Sequence, residues 1–154
     1  MDTTTTDRIE KQVRLPHPRS RVWRALTDSQ EFGAWFGAVF TEPFAAGARV
    51  QGRITIKGYE HMTMDITIER MEPEHAFSWR WHPGGAKPGE SFAHEPMTLV
   101  VFELEEVPEG TLLKVVETGF DQIPLARRAT AFKDNEGGWT GQMKAIAAYL
   151  ARSS

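Results

Sequence analysis

Cysteine is absent from all 154 residues. That removes disulfide staples, thiolate metal ligands, cysteine nucleophiles and dithiol redox chemistry together. No apolar run approaches the ~20 residues that cross a bilayer, so no membrane span is expected. The first seven residues, Met1 to Asp7, are polar and threonine-rich, without the basic start and apolar stretch of an export signal. They read as a flexible tail, and the expected compartment is the cytoplasm. Neither sign of charge is in excess. The 18 Lys and Arg against 21 Asp and Glu leave a formal net charge of -3, which gives no general attraction to a phosphate backbone or an anionic lipid surface. Neither nucleic acid nor membrane is an expected partner.

Motifs that carry chemistry are also scarce. The five histidines, His17, His61, His75, His82 and His94, show no His-Glu-x-x-His spacing, and no third ligand accompanies His82 and His94 at the ends of their shared loop. No metal is expected. A Gly-x-Ser-x-Gly elbow is missing, with Ser78 assigned to an outward strand face, and neither Gly84-Gly85 nor Gly137-Gly138 forms a phosphate loop. No cofactor is expected.

What is present is a patterned chain of ordinary globular composition, with residues 8–152 expected to form one domain after the 1–7 tail. Ile9, Val13 and Leu15 share one parity and predict a strand over Arg8 to Leu15, with Lys11 as the exception on the apolar face. Pro16 and Pro18 end it. Val22, Trp23 and Leu26 then show helical spacing, and Asp28 with Glu31 resembles a capping box that opens a second short helix over Ser29 to Trp35. Strands follow. Val50, Ile54 and Ile56 mark one apolar face; Met62, Met64, Ile66 and Ile68 a second; Phe77, Trp79 and Trp81 a third. The Gly- and Pro-rich segment from His82 to Pro96 is a loop, longer than a hairpin turn, that suits a pocket lid, a dimer contact or a mobile surface loop equally. Two more strands run from Met97 to Glu105 and from Thr111 to Gly119, turning through Pro108, Glu109 and Gly110.

Beyond Gly119 the period changes. A helical segment is expected to begin at Ile123, Pro124, Leu125 and Ala126, with Gly137-Gly138 marking a break, and then a longer helix to the C-terminus. Its stripe of Trp139, Met143, Ile146, Ala147 and Leu150 recurs at steps of three and four. The pattern predicts an α+β helix-grip fold: a curved antiparallel sheet wrapped around a long C-terminal helix, with two short helices after the first strand.

Three phrases carry a resemblance. They are Arg21-Val22-Trp23-Arg24-Ala25-Leu26-Thr27-Asp28 followed by Trp35-Phe36; Glu117-Thr118-Gly119-Phe120; and Glu136-Gly137-Gly138-Trp139. In this order the chain resembles the SRPBCC (START and pollen-allergen-like) superfamily. Within it, the chain is similar to the family related to the activator of the heat-shock-protein-90 ATPase. The resemblance implies a fold with an internal cavity, used by relatives for hydrophobic ligands and, in some, for catalysis or chaperone binding.

The residues expected on the inner face are Met62, Met64, Trp79, Trp81, Phe102, Glu117, Trp139 and Met143. Methionine conforms to irregular shapes and aromatics supply contact area, so the set suits either an apolar ligand pocket or a filled core. Glu117 is the chemically distinct member. With Leu113 and Val115 inward and Lys114 outward, parity turns its carboxyl inward, where it can work as an acid or base or hold the polar end of a ligand. The first expectation is a protein that binds a small hydrophobic or aromatic molecule between sheet and helix. The alternatives are a polyketide-cyclase or hydrolase-like enzyme using Glu117, and a stress-related module that binds a chaperone. A homodimer is the base-rate expectation for assembly.

Overall fold

Every alternating stretch of the sequence becomes a strand of one seven-stranded antiparallel sheet in the computed structural model, which describes residues 8–83, 92 and 94–153. The strands are β1 (Arg8–Leu15), β2 (Ala38–Phe40), β3 (Arg49–Ile54), β4 (Thr63–Glu72), β5 (Ala76–Trp81), β6 (Thr98–Val107) and β7 (Gly110–Thr118). Their spatial order is β1-β7-β6-β5-β4-β3-β2, so only β1 is displaced from a simple meander. Helices α1 (Arg19–Thr27) and α2 (Ser29–Phe36) follow β1, and α3 (Leu125–Ser153) closes the chain after a 3-10 turn at Phe120–Gln122. This is the α+β helix-grip architecture, a curved sheet closed by a long helix. The 1–7 tail and residues 84–91 and 93 of the His82–Pro96 loop lie outside the described residues.

Alternation predicts burial strand by strand. In β4, Met64, Ile66 and Ile68 are buried while Thr63 and Glu69 face solvent; a bulge between Ile68 and Arg70 then shifts the register. The same parity buries Thr98, Val100, Phe102 and Leu104 in β6, and Leu113, Val115 and Glu117 in β7. Lys11, the odd residue on the inner face of β1, reaches Glu136 of α3 at 3.9 Å. Asp28 does cap α2, accepting from the backbone N–H groups of Gln30 and Glu31. The reciprocal half of the capping box does not form, because the Glu31 carboxylate instead binds Arg21, Arg24 and Tyr149 at 2.8, 2.9 and 2.8 Å.

Several expectations are corrected. Ile56 does not extend the inner face of β3: the strand ends at Ile54 and Ile56 is exposed. It leans over Gly37, where the chain turns at φ 99° and an added Cβ would lie 2.6 Å from Ile56 Cγ1. Ser78 has outward parity yet is buried between neighbouring strands. No break occurs at Gly137-Gly138, so the segment that begins near Ile123 and the longer C-terminal helix are one. Helix α3 runs without interruption from Leu125. Burial of Trp139, Met143, Ile146 and Leu150 along one side overrides the low helix propensity of the glycines.

The volume between the sheet and the helices is occupied by rings. Trp79 has Phe102 at 5.3 Å, Trp81 at 5.4 Å, and Phe32 and Phe77 at 5.6 Å between centroids. Phe32 in turn meets Phe36 at 4.8 Å and Phe44 at 5.4 Å. Each edge-to-face or stacked pair contributes roughly 0.5–1.5 kcal/mol beyond the area it buries. Gly52 makes room for this packing, since a Cβ there would lie 2.7 Å from the ring of Phe40.

Candidate functional site

The polar group at the centre of this apolar interior is Glu117. Strand parity sends it inward, and its residue is fully buried near the end of β7, where Gly119 turns the chain at φ 105°. A buried carboxylate is strongly destabilising unless its lone pairs are satisfied. Four side chains from three other elements satisfy them. Trp81 Nε1 of β5 donates to Oε2 at 2.8 Å, and Thr98 Oγ1 of β6 donates to the same oxygen at 2.5 Å. From α3, Trp139 Nε1 donates to Oε1 at 2.8 Å, and Asn135 Nδ2 bridges Oε1 and Oε2 at 2.9 and 3.1 Å.

The two indole N–H groups can only donate, so Glu117 must accept at both of its oxygens. All four donors are neutral. Among the described residues no Lys, Arg or His nitrogen pairs with Glu117; Lys11, on the inner face of the neighbouring β1, is paired with Glu136. The lone pairs of Glu117 are fully engaged. Accepting a proton from a substrate in this arrangement would require one of the donors to withdraw.

Above the carboxylate is an opening of about 70 Å³, lined by Phe36, Trp81, Asn135, Gly138, Trp139 and Gln142. Phe36, Trp81 and Trp139 form three sides, with centroid separations of 6.3 Å (Phe36–Trp81), 6.1 Å (Phe36–Trp139) and 5.9 Å (Trp81–Trp139). Gln142 fixes its rim by donating Nε2 to the Phe36 carbonyl at 2.9 Å. Gly138 leaves its side of the opening unobstructed, since nothing lies within 4 Å of a Cβ placed there.

The residues singled out from sequence divide into three groups. Glu117, Trp81 and Trp139 come together, the two indoles lining the opening and binding the carboxylate. Trp79 and Phe102 stand behind them, 6.3 and 5.6 Å from Trp139. Met62 is half-buried at the edge of the core and Met64 is buried opposite Gly52, while Met143 lies one turn along α3 from Trp139. None of these three lines the opening.

Phe36, Thr98, Asn135, Gly138 and Gln142 were not anticipated. A signal for Thr98 was available, because it is the polar member of the inner parity shared by Val100, Phe102 and Leu104. Asn135, Trp139 and Gln142 also recur at helical steps, but amides on a helix look like a solvated face.

The loop between β5 and β6 is tied down at its stems. His82 Nε2 lies 2.9 Å from the carbonyl of Glu95. Arg127, to which sequence assigned no role, pairs with Glu95 Oε1 at 2.8 Å, donates to the Pro83 carbonyl at 3.1 Å and places its guanidinium 3.5 Å from the Phe92 ring centroid. His94 is exposed, and among the described residues no three of His, Asp and Glu converge to hold a metal ion.

The sheet, the long helix and the occupied interior define a helix-grip protein of the SRPBCC type. The family model described as Activator of Hsp90 ATPase homolog 1-like protein matches residues 16–151, and the chain belongs to that family. Its fold is one that commonly binds hydrophobic ligands. Among solved structures, MLL2253 from Mesorhizobium loti is 24% identical over 96% of this chain and 98% of its own, with a TM-score of 0.74. A protein from Arthrobacter aurescens reaches the same TM-score at 17% identity, covering 97% of this chain and 88% of its own. DynU16, from the dynemicin biosynthetic locus, is 24% identical over 94% of this chain with a TM-score of 0.71, and the match spans 47% of its length. At such identities the likeness is one of fold. A comparison with curated proteins finds no match.

Proposed function

We propose that residues 8–152 act as one domain that binds a small hydrophobic or aromatic molecule between the sheet and α3, admitting it over Phe36, Trp81 and Trp139. The observation that carries this reading is the ring-lined opening that ends on the donors of Glu117. Ligand pockets join an apolar lining to a few oriented polar groups, and both are present here. At about 70 Å³ the opening is far below the roughly 300–1,000 Å³ of a pocket that encloses a drug-sized molecule. It therefore receives the leading group of a ligand, with the remainder against the rim formed by Asn135, Gly138 and Gln142.

The test is a tryptophan-fluorescence titration of the full chain with a panel of small aromatic and aliphatic compounds, together with mass analysis of any molecule that co-purifies. Gly138→Leu fills the opening from a side where a Cβ meets nothing, so it should abolish binding with the fold intact. Saturable binding lost in Gly138→Leu supports the reading. Binding that survives in that variant, or no binding by any compound, overturns it.

A further inference from the structure

The charge distribution around this opening selects among ligands. We infer that it is a cage for a small organic cation, an ammonium head carried on an apolar body, and that it discriminates against carboxylates and other anions. This deepens the small-molecule reading above and rests on it.

Three aromatic rings, Phe36, Trp81 and Trp139, surround the opening at mutual centroid distances of 5.9 to 6.3 Å. The faces of aromatic rings attract cations, tryptophan most strongly. Two of the three rings, Trp81 and Trp139, donate their N–H groups to the same buried carboxylate, at 2.8 Å each. A hydrogen bond to an anion pushes electron density back into the indole, so polarisation along the bond strengthens the negative face presented to a ligand. The carboxylate also contributes its own field. Its four partners are neutral, and in an apolar surround that field is weakly screened.

The rim points the same way. Among the described residues, those lining the opening include no Lys or Arg to attract an anion. Gln142 commits its amide N–H to the Phe36 carbonyl, which leaves its Oε1 as the acceptor end of that side chain. Lys11, the cation nearest in register to Glu117 on the inner face, is offset by Glu136 at 3.9 Å. A ligand seated in the opening meets three aromatic rings, an amide and the field of the carboxylate behind them.

Choline and 3,3-dimethyl-1-butanol have nearly the same shape and differ in charge, so the pair isolates this effect. Titrated into the full chain, choline should bind at least about tenfold more tightly than the alcohol, the scale of a partly desolvated cation over indole. 3,3-Dimethylbutyrate should bind more weakly than either. In Glu117→Gln the ratio of choline to alcohol affinity should shrink towards parity, whatever the two affinities themselves become. If that variant does not fold, the ranking of the three compounds on the native chain decides alone. An alcohol that binds as tightly as choline, or a butyrate that binds best, overturns the cation cage and leaves the small-molecule reading standing. Failure of all three, together with failure of the aromatic and aliphatic panel, overturns both.

Discussion

Replacing Glu117 by glutamine keeps the shape of the side chain and exchanges one oxygen for an NH2 group. Each carboxylate oxygen receives an indole N–H, Oε2 from Trp81 and Oε1 from Trp139. Whichever way the new amide is turned, one indole donor faces another donor. Thr98 can rotate its hydroxyl to accept, but a tryptophan cannot. The variant therefore loses one charge-assisted hydrogen bond, each contributing about 1.5–3 kcal/mol, and leaves a buried N–H without an acceptor. Relief from burying a charge offsets part of this loss. The expected net destabilisation is about 2–4 kcal/mol. Urea unfolding followed by far-ultraviolet circular dichroism measures it, with the midpoint falling at unchanged slope. A change under about 0.5 kcal/mol would refute the account of Glu117 as an obligate acceptor for two indoles.

Three further outcomes follow from other parts of the molecule. Gly137 lies within α3 with nothing near a Cβ placed on it, so Gly137→Ala should stabilise the protein by roughly 0.5–1 kcal/mol, read as a higher Tm. Arg127→Ala releases the stem of the β5–β6 loop from Glu95, Pro83 and Phe92; amide exchange should accelerate at His94, Glu95 and Met97 while β7 remains protected. Burial works to raise the pKa of Glu31, but hydrogen bonds from Tyr149, Arg21 and Arg24 outweigh it and the net shift is downward. A carboxyl whose folded pKa is depressed contributes stability above its unfolded pKa and loses it as pH falls through the folded value. The deficit of Glu31→Gln, about 1 kcal/mol at neutral pH for a partly exposed cluster, should therefore shrink in acid. A deficit that is constant with pH would contradict this assignment.

The fold was legible wherever one face of an element is apolar and the other wet. Met64, Ile66 and Ile68 announce β4 because period-two burial leaves its mark on composition. β2 is only three residues long, Ala38–Phe40, and exists through its pairing with β3, so no local pattern reports it. Gly137-Gly138 misled for the opposite reason: local propensity argues for a break, while the packing of Trp139 and Met143 holds the helix together. In the candidate site, Glu117 was visible as a charge on an apolar parity. Its partners were less so, because Thr98, Asn135 and Gln142 gain meaning only once β6 and α3 are folded against β7.

The dispersion of those partners bears on the order in which the chain assembles. The donors to Glu117 stand 36, 19, 18 and 22 residues away along the chain. None is supplied by a local turn, so the carboxylate keeps its water until β5, β6 and the last helix have all docked. The expectation is that this cluster closes after the barrier is crossed, with φ-values near zero for substitutions in it. Damage to this cluster should therefore shorten the lifetime of the native state and leave the speed of folding almost unchanged.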